Sequence, residues 1–259
     1  MNFRNSQNID APFDAAIVIP TIVRPSLVRA VESIFRQDLE GTIQVLIGVD
    51  KCLGDPQTLD DLLTAAPKNV TVSIVDPGYS TSTRHNGVHS AQDGGSLRTV
   101  MSFLANSQYV SYLDDDNYVA PEHISSQLRA IKGVEWTCSL RWLVDEETDE
   151  MLSVDKWHSV GVGTTTLRDH KGGFADPNTI MVDKLACAPL LHTWSKEYFN
   201  KTGLAGADRR FSDALIRNRS HRPTSQATTY YLMRRDSVLW KYIRTERAAA
   251  KEKTRSETA

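Results

Sequence analysis

Tyr-Val-Ser-Tyr-Leu-Asp-Asp-Asp-Asn-Tyr, residues 109–118, begins as a strand and ends in acid. Tyr109, Val110, Tyr112 and Leu113 are the aromatic, β-branched and large apolar types that suit a pleated, buried position. Asp114, Asp115 and Asp116 follow with no basic residue among them. Ionised carboxylates this close repel one another, so the cluster costs folding free energy unless a cation or a shared proton offsets it. Asp114 and Asp116 point the same way in extended chain and can converge on one ion in a turn. Carboxylate oxygens suit hard cations such as Mg²⁺ or Mn²⁺, which complete their shells with phosphate oxygens and water. The stretch reads as a metal–diphosphate site at a strand's carboxyl end. The structural alternative is a solvated acidic loop before the helix that starts near Pro121.

Upstream, the same kind of ending recurs. Residues 15–19 form an apolar run closed by Pro20 and Thr21. Ser26 opens a helix whose apolar face is Leu27, Val28, Ala30, Val31, Ile34 and Phe35, and Gly41 breaks it. A second strand at 43–49 ends on Asp50, and after a helix at 60–65 a third at 70–75 ends on Asp76. Polar residues 80–83 lead through Arg84, His85, Asn86 and Gly87 into a short helix near 88–91, and a longer helix at 96–106 precedes the acidic strand. Strand–helix alternation with such crossovers predicts a parallel α/β sheet, which binds ligands outside the carboxyl ends of its strands. The four ends are Thr21, Asp50, Asp76 and Asp114, all polar and three of them carboxylates, which favours the site over the solvated loop.

No Gly-x-Gly-x-x-Gly follows the first strand and no Gly-x-x-x-x-Gly-Lys-Ser/Thr occurs, which argues against a Rossmann dehydrogenase and a P-loop NTPase. A bound diphosphate would then be held by a metal and basic side chains. The 259 residues suffice for one large domain, and a net charge of -2 argues against a general nucleic-acid binder. Cys52, Cys138 and Cys187 lack Cys-x-x-Cys spacing, which suits a reducing compartment and offers no zinc signature. Residues 1–13 contain no apolar signal core, and no apolar run reaches membrane-spanning length. The expected location is cytoplasmic, or peripheral at the inner membrane face if the C-terminal tail docks there.

The second half is less regular. A helix at 122–131 is followed by a β-hairpin built from 135–144 and 151–154, a Gly- and Thr-rich stretch at 160–166, and a glycine-bearing loop around His170 and Lys171. A strand at 179–182, a helix or turn at 185–194 carrying His192, a helix at 208–219 and a last strand at 228–233 complete it. Residues 1–235 read as one domain, with 15–131 as its ligand-binding half and 132–235 as an acceptor-side half. Residues 236–259 read as a basic helical tail, either an exposed fraying helix or a contact for anionic lipid or a second copy of the chain.

Four pieces in order resemble a glycosyltransferase of family 2 with the GT-A fold, a Rossmann-like three-layer α/β/α sandwich on a mostly parallel sheet. They are Ala-Ala-Ile-Val-Ile-Pro-Thr (15–21) with Arg24 and Pro25, Val-Leu-Ile-Gly-Val-Asp (45–50), Ser-Thr-Arg-His-Asn-Gly-Val (82–88) and residues 110–117. The third departs from the family's Ala-Arg-Asn-x-Gly by His85, leaving open whether Arg84 or Asn86 faces the ligand. In the second half, residues 206–211 are similar to the Glu-Asp segment that opens a helix, with Ala207 in place of Glu.

The resemblance implies a metal-dependent transferase that moves a sugar from a nucleotide-diphosphate donor, a UDP-sugar, to a hydroxyl of a carbohydrate or lipid-linked acceptor, with inversion by single displacement. It implies Asp208 as catalytic base, with Asp213 as fallback and a plain helix N-cap as the alternative for Asp208. Pro20, Thr21, Asp50, Asp76, Arg84, Asn86, Asp114 and Asp115 would line the nucleotide-sugar site. Asp116, Asp114 and a late histidine would hold Mn²⁺ or Mg²⁺, with His192 first and His158 or His170 as alternatives. Two rivals remain: a sugar-nucleotide-forming nucleotidyltransferase, which would need a glycine-rich loop after Thr21, and a non-catalytic nucleotide-sugar-binding module.

Overall fold

The computed structural model describes residues 2–7, 10–90, 94–155, 173–200, 203–237, 240, 243 and 244. The strands in chain order are β1 (Asn2–Asn5), β2 (Ala15–Thr21), β3 (Ile43–Val49), β4 (Val70–Asp76), β5 (Tyr109–Tyr112), β6 (Tyr118–Val119), β7 (Trp136–Cys138), β8 (Leu140–Asp145), β9 (Met151–Val154), β10 (Ile180–Asp183), β11 (Tyr198–Asn200), β12 (Gly203–Ala205) and β13 (Ala227–Met233). The helices are α1 (Ser26–Phe35), α2 (Gln57–Ala65), α3 (Gly95–Leu104), α4 (His123–Ala130), α5 (Lys184–Leu191) and α6 (Ala207–Asn218).

The main sheet has seven strands in the order β1-β4-β3-β2-β5-β10-β7. β4, β3, β2 and β5 are mutually parallel, while β1 and β10 run antiparallel to their neighbours. Every residue of β2 and β3 is buried, as expected for strands covered on both faces. The period of two then assigns the layers. Ala15, Ile17 and Ile19 pack with Leu27 and Ile34 of α1, Leu59 of α2 and Ile124 of α4. Ala16 and Val18 face Leu97 and Met101 of α3, Leu191 of α5 and Phe211 of α6. The result is a three-layer α/β/α sandwich.

On the second face Tyr112, Trp194 and Phe211 form an aromatic triangle, with centroids 4.8, 5.7 and 4.2 Å apart. It ties the end of β5 to the start of α6. Trp194→Ala is expected to lower stability by about 3–5 kcal/mol through the cavity it leaves, measured by denaturant unfolding.

A second sheet, β6-β13-β8-β9, lies past the ends of the first. The chain enters it three times, the last at β13 after α6. The acidic turn carries β5 into β6, and at Ser139 the strand expected at 135–144 divides into β7 of the main sheet and β8 of the second. β8 and β9 form the expected hairpin. The short helix expected near 88–91 is not formed over its described part. A 3₁₀ turn at Thr83–His85 stands just before it, and Ser82 bridges His89. β1 was not anticipated, its residues being polar apart from Phe3.

The tail starts packed rather than free: Ile243 is buried with Leu143 and Met233 beneath Trp240. Residues 156–172 and 245–259, including His158, the stretch 160–166, His170 and Lys171, lie outside the described residues. Among the described residues no helix is long and apolar enough to cross a membrane.

Candidate active site

A cleft of about 1080 Å³ opens where β2, β3 and β5 end. Its floor is Pro20, Thr21, Asp50 and Asp114–Asp116; one wall is Ser82, Arg84 and His85, and the other is Tyr231–Met233 of β13 with residues 234, 236 and 237. β3, β2 and β5 are adjacent in the sheet, so their ends meet there. Pro20 packs against Gly94, which has φ +71 and whose Cβ, if present, would lie 2.6 Å from that of Pro20. Only glycine suits that position.

The floor is held by side-chain hydrogen bonds. Thr21 Oγ1 donates to Asp115 Oδ2 at 2.7 Å and accepts from the Val23 N–H at 2.8 Å. Val23 is buried with φ 62, an uncommon conformation for a β-branched residue, at the turn that presents Arg24 to the cleft. Asp50 accepts from Ser80 Oγ at 2.8 Å and the Thr81 N–H at 3.2 Å, which fixes its carboxylate at the cleft. The Ser82 hydroxyl accepts the Arg84 N–H at 3.2 Å, setting the turn that carries Arg84 and His85.

The three carboxylates of the acidic turn have different surroundings. Asp114 is gripped by Arg98 of α3 at one oxygen and by Asn178 at the other, at 2.9 Å. Asp115 is buried; burial raises its pKa, against the lowering by Thr21 and Arg24. Asp116 is half-exposed, with its side chain 48% accessible, and accepts from Arg24 at 2.8 Å. Its pKa is pushed up to about 6 by desolvation and by the charges of Asp114 and Asp115, with Arg24 opposing.

A divalent ion fits this chemistry in one mode. Mg²⁺ and Mn²⁺ are commonly held by one or two carboxylates while substrate phosphates and water fill the shell. Asp116 faces the cleft and, among the described residues, meets the half-exposed Arg24 guanidinium and the Asn117 amide. No preformed group of three acidic, histidine or cysteine ligands exists among the described residues.

Asp208 lies in the first turn of α6, where Gly206 rather than Asp208 is the N-cap, so the capping alternative does not hold. Its pKa is raised to about 6 by burial first and then by the charges of Asp176 and Asp114, with the Arg209 N–H opposing. It is not a lining residue of the cleft, yet it stands within electrostatic reach of Asp114. Asp213 pairs with Arg217 along the helix at 3.4 Å.

Three candidates stand elsewhere. Asp76 ends β4, two strands from β2, and accepts the Gly78 N–H at 2.7 Å to close a turn outside the cleft. Asn86 is exposed with φ 67 and ends the 3₁₀ turn, so Arg84 rather than Asn86 faces the cleft. His192 is exposed in the turn after α5 and does not line the cleft.

Sequence reasoning missed Arg98, Asn178, Asp176 and Tyr231. For Arg98 a signal existed: an arginine on the same helical face as Leu97 and Met101 is buried, and a buried cation needs a carboxylate. For Asn178, in an Asp-Pro-Asn-Thr turn, there was none. Tyr231 lines the cleft, and its hydroxyl pKa is pushed up to about 12 by burial, with Arg141 opposing and the charges of Asp176, Asp114 and Asp116 adding.

No protein-family model and no curated protein matches the sequence. Solved structures do. S. aureus TarS aligns at 12% identity with a TM-score of 0.60, over 86% of this chain and 37% of that one. TarS 1-349 in complex with UDP-GlcNAc aligns at 14% identity and TM-score 0.59, over 86% of this chain and 60% of that one. The UDP complex gives 14% and 0.58, over 86% and 61%. This chain thus spans less than two thirds of the TarS chains it matches. In layer order, in its mostly parallel seven-stranded sheet and in its likeness to TarS over most of its length, the chain has the GT-A fold.

Proposed function

We propose that the protein is a glycosyltransferase that takes a UDP-sugar and moves the sugar to an acceptor hydroxyl. The observation that carries this reading is the cleft itself: Asp50, Thr21 and the acidic turn gather at adjacent strand ends with Arg84 on the wall beside them, in a fold shared with TarS, which is solved with UDP and with UDP-GlcNAc. Asp50 accepts a base N–H, and Arg84 and Arg24 face the diphosphate. Asp116 would hold Mg²⁺ or Mn²⁺, with Asp114 beside it. When bound, that ion neutralises charge developing on the diphosphate leaving group.

The acceptor hydroxyl is a poor nucleophile at neutral pH. Asp208 takes its proton as the hydroxyl oxygen attacks C1 and the C1–O bond to the diphosphate breaks, a single displacement with inversion. Burial suits Asp208 to this: at a pKa of about 6 it is ionised at pH 7 and more basic than an ordinary carboxylate.

Thermal unfolding with UDP and Mn²⁺, followed by a UDP-release assay over a panel of UDP-sugars, tests the proposal. A UDP-sugar at 100 times its Kd is expected to add about 2.7 kcal/mol of stability. Binding without turnover of any donor points to a binding module, and pyrophosphate release from UTP and a sugar 1-phosphate to a nucleotidyltransferase. Asp50→Asn, which puts an N–H donor where the base N–H donates, is expected to weaken UDP about tenfold, read by calorimetry, as for a lost hydrogen bond to a charged group of about 1.5 kcal/mol.

A further inference from the structure

Below the cleft lies a buried ion cluster that the proposed chemistry does not use. The Arg141 guanidinium of β8 donates to Asp155 at 2.8 Å and to Asp176 at 2.5 Å, with the three side chains 2%, 0% and 8% exposed. It also lies 4.2 Å from the ring centroid of Tyr231. Such clusters rarely earn their place by stability, because desolvating the ions offsets their attraction. The cluster is joined to the acidic turn through one side chain.

That side chain is Asn178, fully buried in the turn before β10. Its amide oxygen accepts the Asp114 backbone N–H at 2.6 Å. Its amide nitrogen donates to Asp114 Oδ2 at 2.9 Å and to Asp176 Oδ1 at 2.7 Å. Its own backbone is pinned, the N–H donating to Asp176 at 2.9 Å and the carbonyl accepting from Thr229 at 3.0 Å. The three partners of the side chain are one N–H donor and two carboxylate acceptors, so the position requires an acceptor and a two-proton donor on one rigid group. An amide supplies both; an aspartate would be a third negative charge there, and a serine would be too short to reach both partners. From the opposite side Arg98 holds the other oxygen of Asp114.

We propose that Asn178 is a positioning residue that locks the backbone and carboxylate of Asp114 at the cleft by tying them to the buried Arg141–Asp155–Asp176 cluster. Its effect on donor binding rests on the UDP-sugar reading above; its effect on Asp114 does not. With Asn178 in place Asp114 meets the donor preorganised, so little ordering is left to the binding step. Without it, among the described residues, Arg98 alone restrains the carboxylate.

Two measurements on Asn178→Ala, repeated on Asn178→Ser should the alanine variant not fold, test this. The first is amide hydrogen exchange, which needs no ligand. The Asp114 N–H is expected to exchange at least tenfold faster, with the β5 amides Val110 and Tyr112 unchanged. An unchanged Asp114 rate overturns the proposal, and so does loosening of all of β5, which would mark Asn178 as a general packing residue. The second is UDP-GlcNAc affinity with Mn²⁺ in a double-mutant cycle. Asn178→Ala is expected to weaken binding about tenfold, as outer partners of a binding group do, and to weaken it no further once Asp114 is alanine. Additive losses overturn the proposal. If the unmodified protein binds no UDP-sugar, the functional reading fails, and the exchange result alone decides the role of Asn178.

Discussion

Asp208→Asn is expected to lower turnover about 10³-fold while leaving UDP binding within about twofold, because general-base catalysis contributes about 10²–10⁴-fold. Asparagine keeps the shape and can still accept the Arg209 N–H, which the carboxylate now accepts at 2.7 Å. Steady-state kinetics beside calorimetry separates the two effects. Equal losses in turnover and UDP affinity would remove Asp208 from the role of base. The pH profile supplies a second check. With a pKa of about 6, the wild-type rate should fall about tenfold per pH unit below pH 6 and flatten above it. Stability should move in the opposite sense. The folded pKa of Asp208 is raised, so its contribution to stability is fully present below the unfolded value of 3.8 and is lost as pH rises through about 6. Relative to wild type, the asparagine variant should therefore be more stable at pH 8 than at pH 4, as read by denaturant midpoints.

Asp116→Ala is expected to abolish metal-dependent stabilisation by UDP and to cut activity about 10²–10³-fold, the cost of losing one charge-stabilising group at a reacting centre. Asp116 is the half-exposed carboxylate of the acidic turn, and Arg24 is its guanidinium partner. The fold should survive, because Asp114 and Asp115, which are tied to Asn178 and Thr21, are left in place. Thermal unfolding with UDP in Mn²⁺ and in EDTA checks it. UDP stabilisation that persists in EDTA, together with an active alanine variant, would remove the metal from the scheme.

Much of the framework was legible because it is local. Apolar runs along residues 15–19, 43–49 and 70–75, with apolar helical faces between, predicted strands and helices that form within three residues of where they were expected. Asp50, Thr21 and the acidic turn were singled out because polar residues at the ends of buried strands are unusual, and all of them line the one cleft. The same rule misplaced Asp76. Its strand ends in a carboxylate, as β3 and β5 do at Asp50 and Asp114, but β4 lies beyond β3, two strands from β2, about 10 Å away at the usual strand spacing. His192 lies away from the cleft for a related reason: it sits in a turn after a helix, not at a strand end.

The sequence alone determined which segments form buried strands and which of them end in acid, because apolar runs and helical spacing act over a few residues. Tertiary structure alone decided which of those ends meet and how each carboxylate is held. Asn178 lies 64 residues from Asp114, and Arg98 reaches the same carboxylate from another layer. Their convergence depends on β10 lying beside β5 and on α3 packing across the sheet, and no local pattern encodes contacts between chain segments so far apart.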